Sequence, residues 1–391
     1  MRLSAPFGLG NGRTAVCSVA VLAVLVVPIG SAQAETIRSQ QWYLDAMHAA
    51  DMWKTSTGAG VTVAVIDSGV DPELPDLRGQ VLPGRDFSGI EGDSRSDYDG
   101  HGTEMAVLIA GTGQGNNGAG SFGLAPGVKV LPLRVINGKA PATQTLPGSA
   151  MASAIRYAAD SEAKVINISM AGLDESREEA QALDYATSRG KLVIAGTGNW
   201  GKKGNPVAYP AAHPGVVGVA AVDQDIKATQ ESERGPQVDL AAPGDNIVTT
   251  CKGGTGVCRS HGTSDATALA SASAALLWSA HPDWTANQVL RVLINTAGGP
   301  KSGEKRSDTI GYGVVRPRVA LQNPGDPGPP DVSPLPAAAA NDPATNSGAR
   351  ARGMDKGGGL LSTRNVVTVG VGIAIALMAG ASVLVIRRRR A

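Results

Sequence analysis

The run Val61-Thr62-Val63-Ala64-Val65-Ile66 restricts the fold more than any other stretch of this 391-residue chain. It is nearly continuous in β-branched and apolar residues, with Thr62 its one polar member, so both faces of the strand it forms must be covered. A strand covered on both faces belongs to a parallel sheet layered between helices. The sequence goes on to supply that alternation. His101 to about Ala110 reads as a helix, Val128 to Val135 as a strand interrupted by Pro132, Gly148 to Ala159 as a helix and Lys164 to Ser169 as a strand. A helix capped by Asp174 stops at Gly190, and strands follow at Lys191 to Ala195 and Val216 to Ala221, with shorter ones at Val238 to Leu240 and Asn246 to Thr250. A helix from about Asp265 to Ala280 and another, capped by Thr285, to about Ala297 close the series. The fold class is therefore α/β, and in such sheets the active site lies at the carboxyl ends of the strands.

The two ends of the chain have other work. Residues 1–34 carry Arg2 and Arg13, an apolar run from Ala15 to Ile29 and a small-residue site, Ala32-Gln33-Ala34, which reads as a removed secretory signal. Residues 322–365 are rich in Pro, Gly, Ala, Ser and Asp with almost no large apolar side chains, the composition of a linker. Residues 366–386 are free of charge over a length that spans a bilayer, and four arginines follow at once in the tail 387–391. Positive charge stays inside, so the expected arrangement is a single-pass protein of the cell membrane. Its globular domain, residues 35–321, lies outside and its C-terminus in the cytoplasm. The net charge of +1 gives no reason to expect nucleic acid.

Of three cysteines, Cys17 leaves with the signal. Cys251 and Cys258 remain, close together and in an oxidising compartment, which predicts a disulfide closing a hairpin. Two Cys with His261 nearby fall short of a metal site, and the acidic residues between Asp86 and Asp99 show no ligand spacing, so no metal or cofactor is assigned.

Three segments carry candidate chemistry. Asp67 ends the first strand in Val65-Ile66-Asp67-Ser68-Gly69, where a carboxylate serves either as a turn former or as the partner of an imidazole. His101 opens a helix between Gly100 and Gly102, and a base there can reach a second helix opening at Ser264. His261, three residues before Ser264, is the competing base. Gly262-Thr263-Ser264 places a hydroxyl on a tight turn at a helix start, which fits an N-cap as well as a nucleophile. Asn199, after Ala195-Gly196-Thr197-Gly198, fits a left-handed turn or an oxyanion donor. Asp, His and Ser in that chain order are one of the convergent triad arrangements.

Val-Ile-Asp-Ser-Gly-Val, Asp-Gly-His-Gly-Thr, Val-Ile-Asn-Ile-Ser and Gly-Thr-Ser together make the chain resemble the subtilisin-like serine peptidases over roughly Gln41 to Leu321. The resemblance implies a seven-stranded parallel sheet flanked by helices. It also implies endopeptidase activity on a polypeptide substrate, with Asp67, His101 and Ser264 as triad and Asn199 in the oxyanion hole. With its signal, Gln41-Trp42-Tyr43-Leu44 opening, Pro-rich stalk and terminal helix, the chain is similar to the mycosins, membrane-anchored members associated with type VII secretion. A secretion-machinery partner is thereby implied. So is a substrate cleft with Ser169, Met170 and Ala171 on one wall and Ala195, Gly196 and Thr197 on the other, small or apolar residues that disfavour a charged side chain. Glu104, Asp265 and Ala268 stand where the family usually carries His, an apolar residue and Pro. A carboxylate beside Ser264 favours a protonated His101. These departures leave a second expectation open, a membrane-anchored structural partner with a weak or dispensable peptidase site.

Overall fold

A computed structural model of the chain describes residues 36–136, 148–254 and 256–336. Its strands are β1 (Thr62–Asp67), β2 (Arg85–Asp86), β3 (Lys129–Arg134), β4 (Val165–Ile168), β5 (Leu192–Gly196), β6 (Val217–Val222), β7 (Leu240–Pro243), β8 (Ile247–Thr250) and β9 (Val257–Ser260). The helices are α1 (Ile37–Gln40), α2 (Trp42–Ala46), α3 (Ala49–Met52), α4 (His101–Ala110), α5 (Gly115–Gly118), α6 (Gly148–Asp160), α7 (Arg177–Ser188), α8 (Thr263–Ala280), α9 (Ala286–Thr296) and α10 (Pro317–Gln322). Seven strands form one sheet in the order β2-β3-β1-β4-β5-β6-β7, every pairing parallel.

Alternation along β1 divides the core. Val63 and Val65 join Val130, Val165, Ile194 and Val219 against α4, α8 and α9. Ala64 and Ile66 join Leu133, Ile166, Ile168 and Val193 against α6 and α7. Each such Val, Leu or Ile contributes about 1.5–3 kcal/mol by leaving water. Asp67 continues the parity of Val63 and Val65, so its side chain falls on the α4 and α8 face. The strand after β1 in the sheet, β3, lies on one side of it and β4 on the other. The crevice between the carboxyl ends of β1 and β4 is thus the topological switch point, where open α/β sheets bind ligands.

The long helix α8 is buried on nearly all sides because it is built from Ala, Ser and Thr. Small side chains let it run across the sheet as a central layer. It ends before Pro282, and His281 stacks on Trp284 at 3.8 Å. Burial lowers the His281 pKa, so this ring is a packed neutral group rather than the charged helix terminus its position suggests.

Several expectations need correction. Glu35 to Gly60, which the sequence marks only as a short arm, contains three short helices, with Tyr43 and Leu44 buried. Ser176, not Asp174, caps α7 by accepting from Glu179 N–H at 3.1 Å. The strand expected at Val238 to Leu240 begins only at Leu240. The segment expected as a strand at Asn246 to Thr250 pairs antiparallel with β9 in a separate two-stranded sheet. The first part of the expected linker is docked on α9: Arg291 donates to Pro327 O and Pro329 O, Gln288 to Gly328 O, and Thr285 and Asn287 to Pro330 O. Among the described residues no helix is long and apolar enough to cross a membrane. The expected signal (1–34), span (366–386) and tail (387–391) lie outside the described residues, as does the linker beyond residue 336.

Candidate active site

The end of β1 and the start of α4 are welded together. Asp67 is buried, and His101 Nδ1 sits 2.8 Å from its Oδ1 and 3.0 Å from its Oδ2. The Ser68 N–H also donates to Asp67 Oδ1, at 2.7 Å. Gly100 turns the chain into α4 at φ 104, and a Cβ on Gly102 would fall 2.2 Å from Gly69 O. Only glycine permits that approach. The loop's other anchor is Asp97, which the sequence reading did not single out. It accepts from Ser68 Oγ at 3.0 Å, Gly100 N–H at 2.7 Å, Thr103 N–H at 2.9 Å and Thr103 Oγ at 2.6 Å. It thereby fixes the first turn on which His101 rides.

Ser264 occupies the second position of α8, where the helix leaves its N–H groups unpaired. Its hydroxyl donates to Ser169 O at 3.0 Å, and Ser169 Oγ donates back to Ser264 O at 3.0 Å. Asn167 steadies this pair by donating to Ser169 Oγ while accepting from Ser271 on α8. Among the described residues no hydrogen bond joins Ser264 to His101, and the Ser264 hydroxyl instead rests on Ser169, just past the end of β4. A hydroxyl rotation is a fast event, and such bonds tighten only when substrate is present.

Asn199 is exposed, and its Oδ1 is occupied by Thr263 N–H at 2.9 Å and Thr263 Oγ at 3.1 Å. That assignment leaves Nδ2 as the free donor beside the Ser264 N–H. Ser169, Met170 and Ala171 line one wall of the pocket here, Gly198, Asn199 and Trp200 the other, with Thr263 and Ser264 between. Ala195, Gly196 and Thr197, expected as that second wall, are buried and lie outside the lining: Ala195 packs towards α6 and α7, and Thr197 Oγ donates to Val219 O. The wall starts three residues later because β5 runs on to Gly196 beneath α8.

Two other histidines are committed elsewhere. His261, exposed, pairs with Glu231 at 2.7 Å, which removes the competing base. His213 lies between Glu175 at 2.7 Å and Asp184 at 3.2 Å. Cys251 and Cys258 form the expected disulfide, closing the β8–β9 hairpin with Cα atoms 4.9 Å apart. Lys252 in that hairpin rests against Gly100, with its Cδ 3.3 Å from where a Cβ would stand. Among the described residues no group of three His, Cys, Asp or Glu is placed to hold a metal.

Electrostatics set the base unusually high. Burial alone would lower the His101 pKa, but the Asp67 carboxylate, with Asp265 and Glu104 behind it, carries it up to about 9. Asp265 is buried with Ser260 Oγ at 2.7 Å from its Oδ1, and burial together with Glu104 raises it to about 7. It is therefore ionised over the range in which His101 titrates. The sign follows: removing that negative charge makes the imidazolium easier to deprotonate. Asp265→Asn is expected to move the acid limb of kcat/KM to lower pH, read from a pH–rate profile. An unchanged limb would show that Asp265 does not act on His101.

Residues 58–313 match the subtilase family model of serine peptidases. Thermitase of Thermoactinomyces vulgaris is 35% identical over 260 residues, which cover 66% of this chain and 88% of that protein. Subtilisin E of Bacillus subtilis (strain 168) is 37% identical over 243 residues, 62% of this chain and 61% of its own length, so the chain spans under two thirds of that relative. Among solved structures, the MycP3 protease from the type VII (ESX-3) secretion system superposes with a TM-score of 0.61 at 33% identity, over 71% of this chain and 87% of that one.

Proposed function

Because the chain belongs to the subtilase family and is a serine endopeptidase, we propose that Asp67, His101 and Ser264 are its triad and Asn199 its oxyanion donor. The observation that carries this is the buried Asp67–His101 pair, at the switch point where α8 also delivers Ser264. Asp67 holds Nδ1 protonated, so Nε2 is the nitrogen that accepts the Ser264 proton as Oγ adds to the scissile carbonyl. The imidazolium then hands that proton to the leaving amine, and water hydrolyses the acyl-enzyme by the reverse sequence. Asn199 Nδ2 and the Ser264 N–H receive the oxyanion. The substrate lies between Ser169-Met170-Ala171 and Gly198-Asn199-Trp200, whose small and apolar surfaces favour an uncharged side chain at the cleavage site.

We further propose that the protein is secreted by its 1–34 signal and anchored by residues 366–386, with the peptidase domain outside. Its place is in a type VII secretion system, like that of the MycP3 neighbour. Asn199→Ala in the full-length chain is expected to lower kcat about 10²–10³-fold with little change in KM, the cost of losing one oxyanion donor. A peptide-hydrolysis assay checks it, and an equally large rise in KM with kcat intact would speak against the assignment.

One observation favours the second reading, a scaffold with a dispensable site: the Ser264 hydroxyl is bonded to Ser169 O and not to His101. Ser264→Ala separates the two. Export that persists in this variant but not in a deletion strain supports the scaffold.

A further inference from the structure

Behind the second wall of the pocket lies a carboxyl group that the reaction scheme leaves unused. Glu233 is 0% exposed, and neither of its carboxylate oxygens has a hydrogen-bond partner. Its own N–H donates to Gly198 O at 3.1 Å, so the segment is tied to the wall. A Cβ built on Gly198 would stand 2.7 Å from the Glu233 carboxyl carbon and from Oε1, and 2.9 Å from Oε2. Gly198 holds φ +105 and lines the pocket next to Asn199. The missing side chain at 198 is thus the space that the carboxyl fills.

The charged groups nearest it in the chain and at the start of α8 are exposed or paired elsewhere. Glu231 pairs with His261, Arg234 is exposed with its N–H on Asn205 Oδ1, and Lys202 and Lys203 beyond the wall are exposed. Asp265, at the start of α8, is bonded to Ser260. A carboxylate enclosed without donors or counter-charge is unfavourable, so the group is accommodated as the neutral acid. Burial pushes Glu233 up to about 7, opposed by the Trp200 N–H, whose approach falls short of a hydrogen bond.

We propose that Glu233 is a positioning residue for peptide hydrolysis: its neutral carboxyl seats the Gly198-Asn199-Trp200 wall, and its ionisation drives that wall out of the geometry in which Asn199 meets the oxyanion. The inference rests on the oxyanion role proposed for Asn199. It makes the two requirements of the site oppose each other, since His101 must lose a proton that Glu233 must keep. With values of about 9 and about 7, roughly one molecule in ten at pH 8 has a neutral His101, and roughly one in ten of those a neutral Glu233.

The test is the pH dependence of kcat and KM for the full-length chain and for Glu233→Gln, which keeps the shape and cannot ionise. Glu233→Gln is expected to raise kcat about tenfold at pH 8 with KM nearly unchanged, and to match the parent at pH 6. If the amide does not fold, Glu233→Ala, which keeps the backbone bond to Gly198 but empties the space over it, is read by its pH dependence alone: whatever its absolute kcat, the ratio of kcat at pH 8 to that at pH 6 is expected to be about tenfold higher than the parent's. A profile parallel to the parent's in either variant, or a loss of kcat at every pH in Glu233→Gln, would overturn the proposal and leave Glu233 a packing residue. Asn199→Ala distinguishes the two readings. If it lowers kcat while Glu233→Gln changes nothing, only the Glu233 proposal falls. If it leaves kcat intact, the oxyanion reading falls and takes this one with it.

Discussion

His101→Ala and Ser264→Ala are each expected to lower kcat on the order of 10⁶-fold, and the double variant hardly further. In subtilisins the nucleophile and the base act as one unit, so either loss removes nearly all that the pair supplies. Ser264 at the second turn position of α8 keeps an unpaired N–H beside its hydroxyl, and His101 is held by a carboxylate that is itself buried. Without Nε2 nothing in the site draws the Ser264 proton away from Ser169 O. What remains is binding and the oxyanion donors, which sustain a residual rate. Steady-state kinetics on a peptide substrate measures this, and a drop under about tenfold in either variant would be incompatible with a triad.

Replacing Arg134 with methionine is expected to cost about 3–5 kcal/mol of stability, because the buried guanidinium serves a half-buried carboxylate and three loop carbonyls that the variant leaves without their donor. Arg134 is the largest side chain with no exposure, its Nε 2.6 Å from Asp86 Oδ1. Its remaining donors go to Ile90, Glu91 and Ser96 carbonyls, each at 3.1 Å, so one guanidinium gathers the whole loop between β2 and α4. That loop delivers Asp97, and Asp97 sets the turn beneath His101. The variant therefore should lose activity before it unfolds, a sequence of events that urea unfolding and peptidase assays on the same sample can follow. Lysine is no substitute, since it cannot present five donors in a fixed plane.

The layered sheet was legible because burial on both faces writes itself into a strand as a nearly continuous apolar run, as at Val61 to Ile66 and Val216 to Ala221. The hairpin was not. Ile247 to Thr250 has the same β-branched composition whether it joins the main sheet or turns back, and its partner Val257 to Ser260 is half exposed and carries no pattern. Asp67, His101, Ser264 and Asn199, the proposed triad and oxyanion donor, could be singled out because each chemistry needs one residue type at one strand or helix end. Asp97 acts through backbone N–H groups, whose positions exist only after the loop has folded. The second pocket wall was placed too early because nothing in Ala195-Gly196-Thr197-Gly198 marks where β5 stops lying under α8 and the chain reaches the surface. Glu233 was invisible for a simpler reason: its consequence lies in the void over Gly198, thirty-five positions earlier.

The central claim is that His101, held by Asp67, activates Ser264. Covalent labelling of the full-length chain with a fluorophosphonate probe tests it most directly, with Ser264→Ala and His101→Ala alongside and the reaction followed across pH. The account predicts labelling of Ser264 that requires both residues and rises with pH as His101 loses its proton, the rise continuing towards about 9 where Glu233→Gln removes the opposing ionisation. Labelling that survives His101→Ala, or that never occurs in the folded protein at any pH, would contradict it.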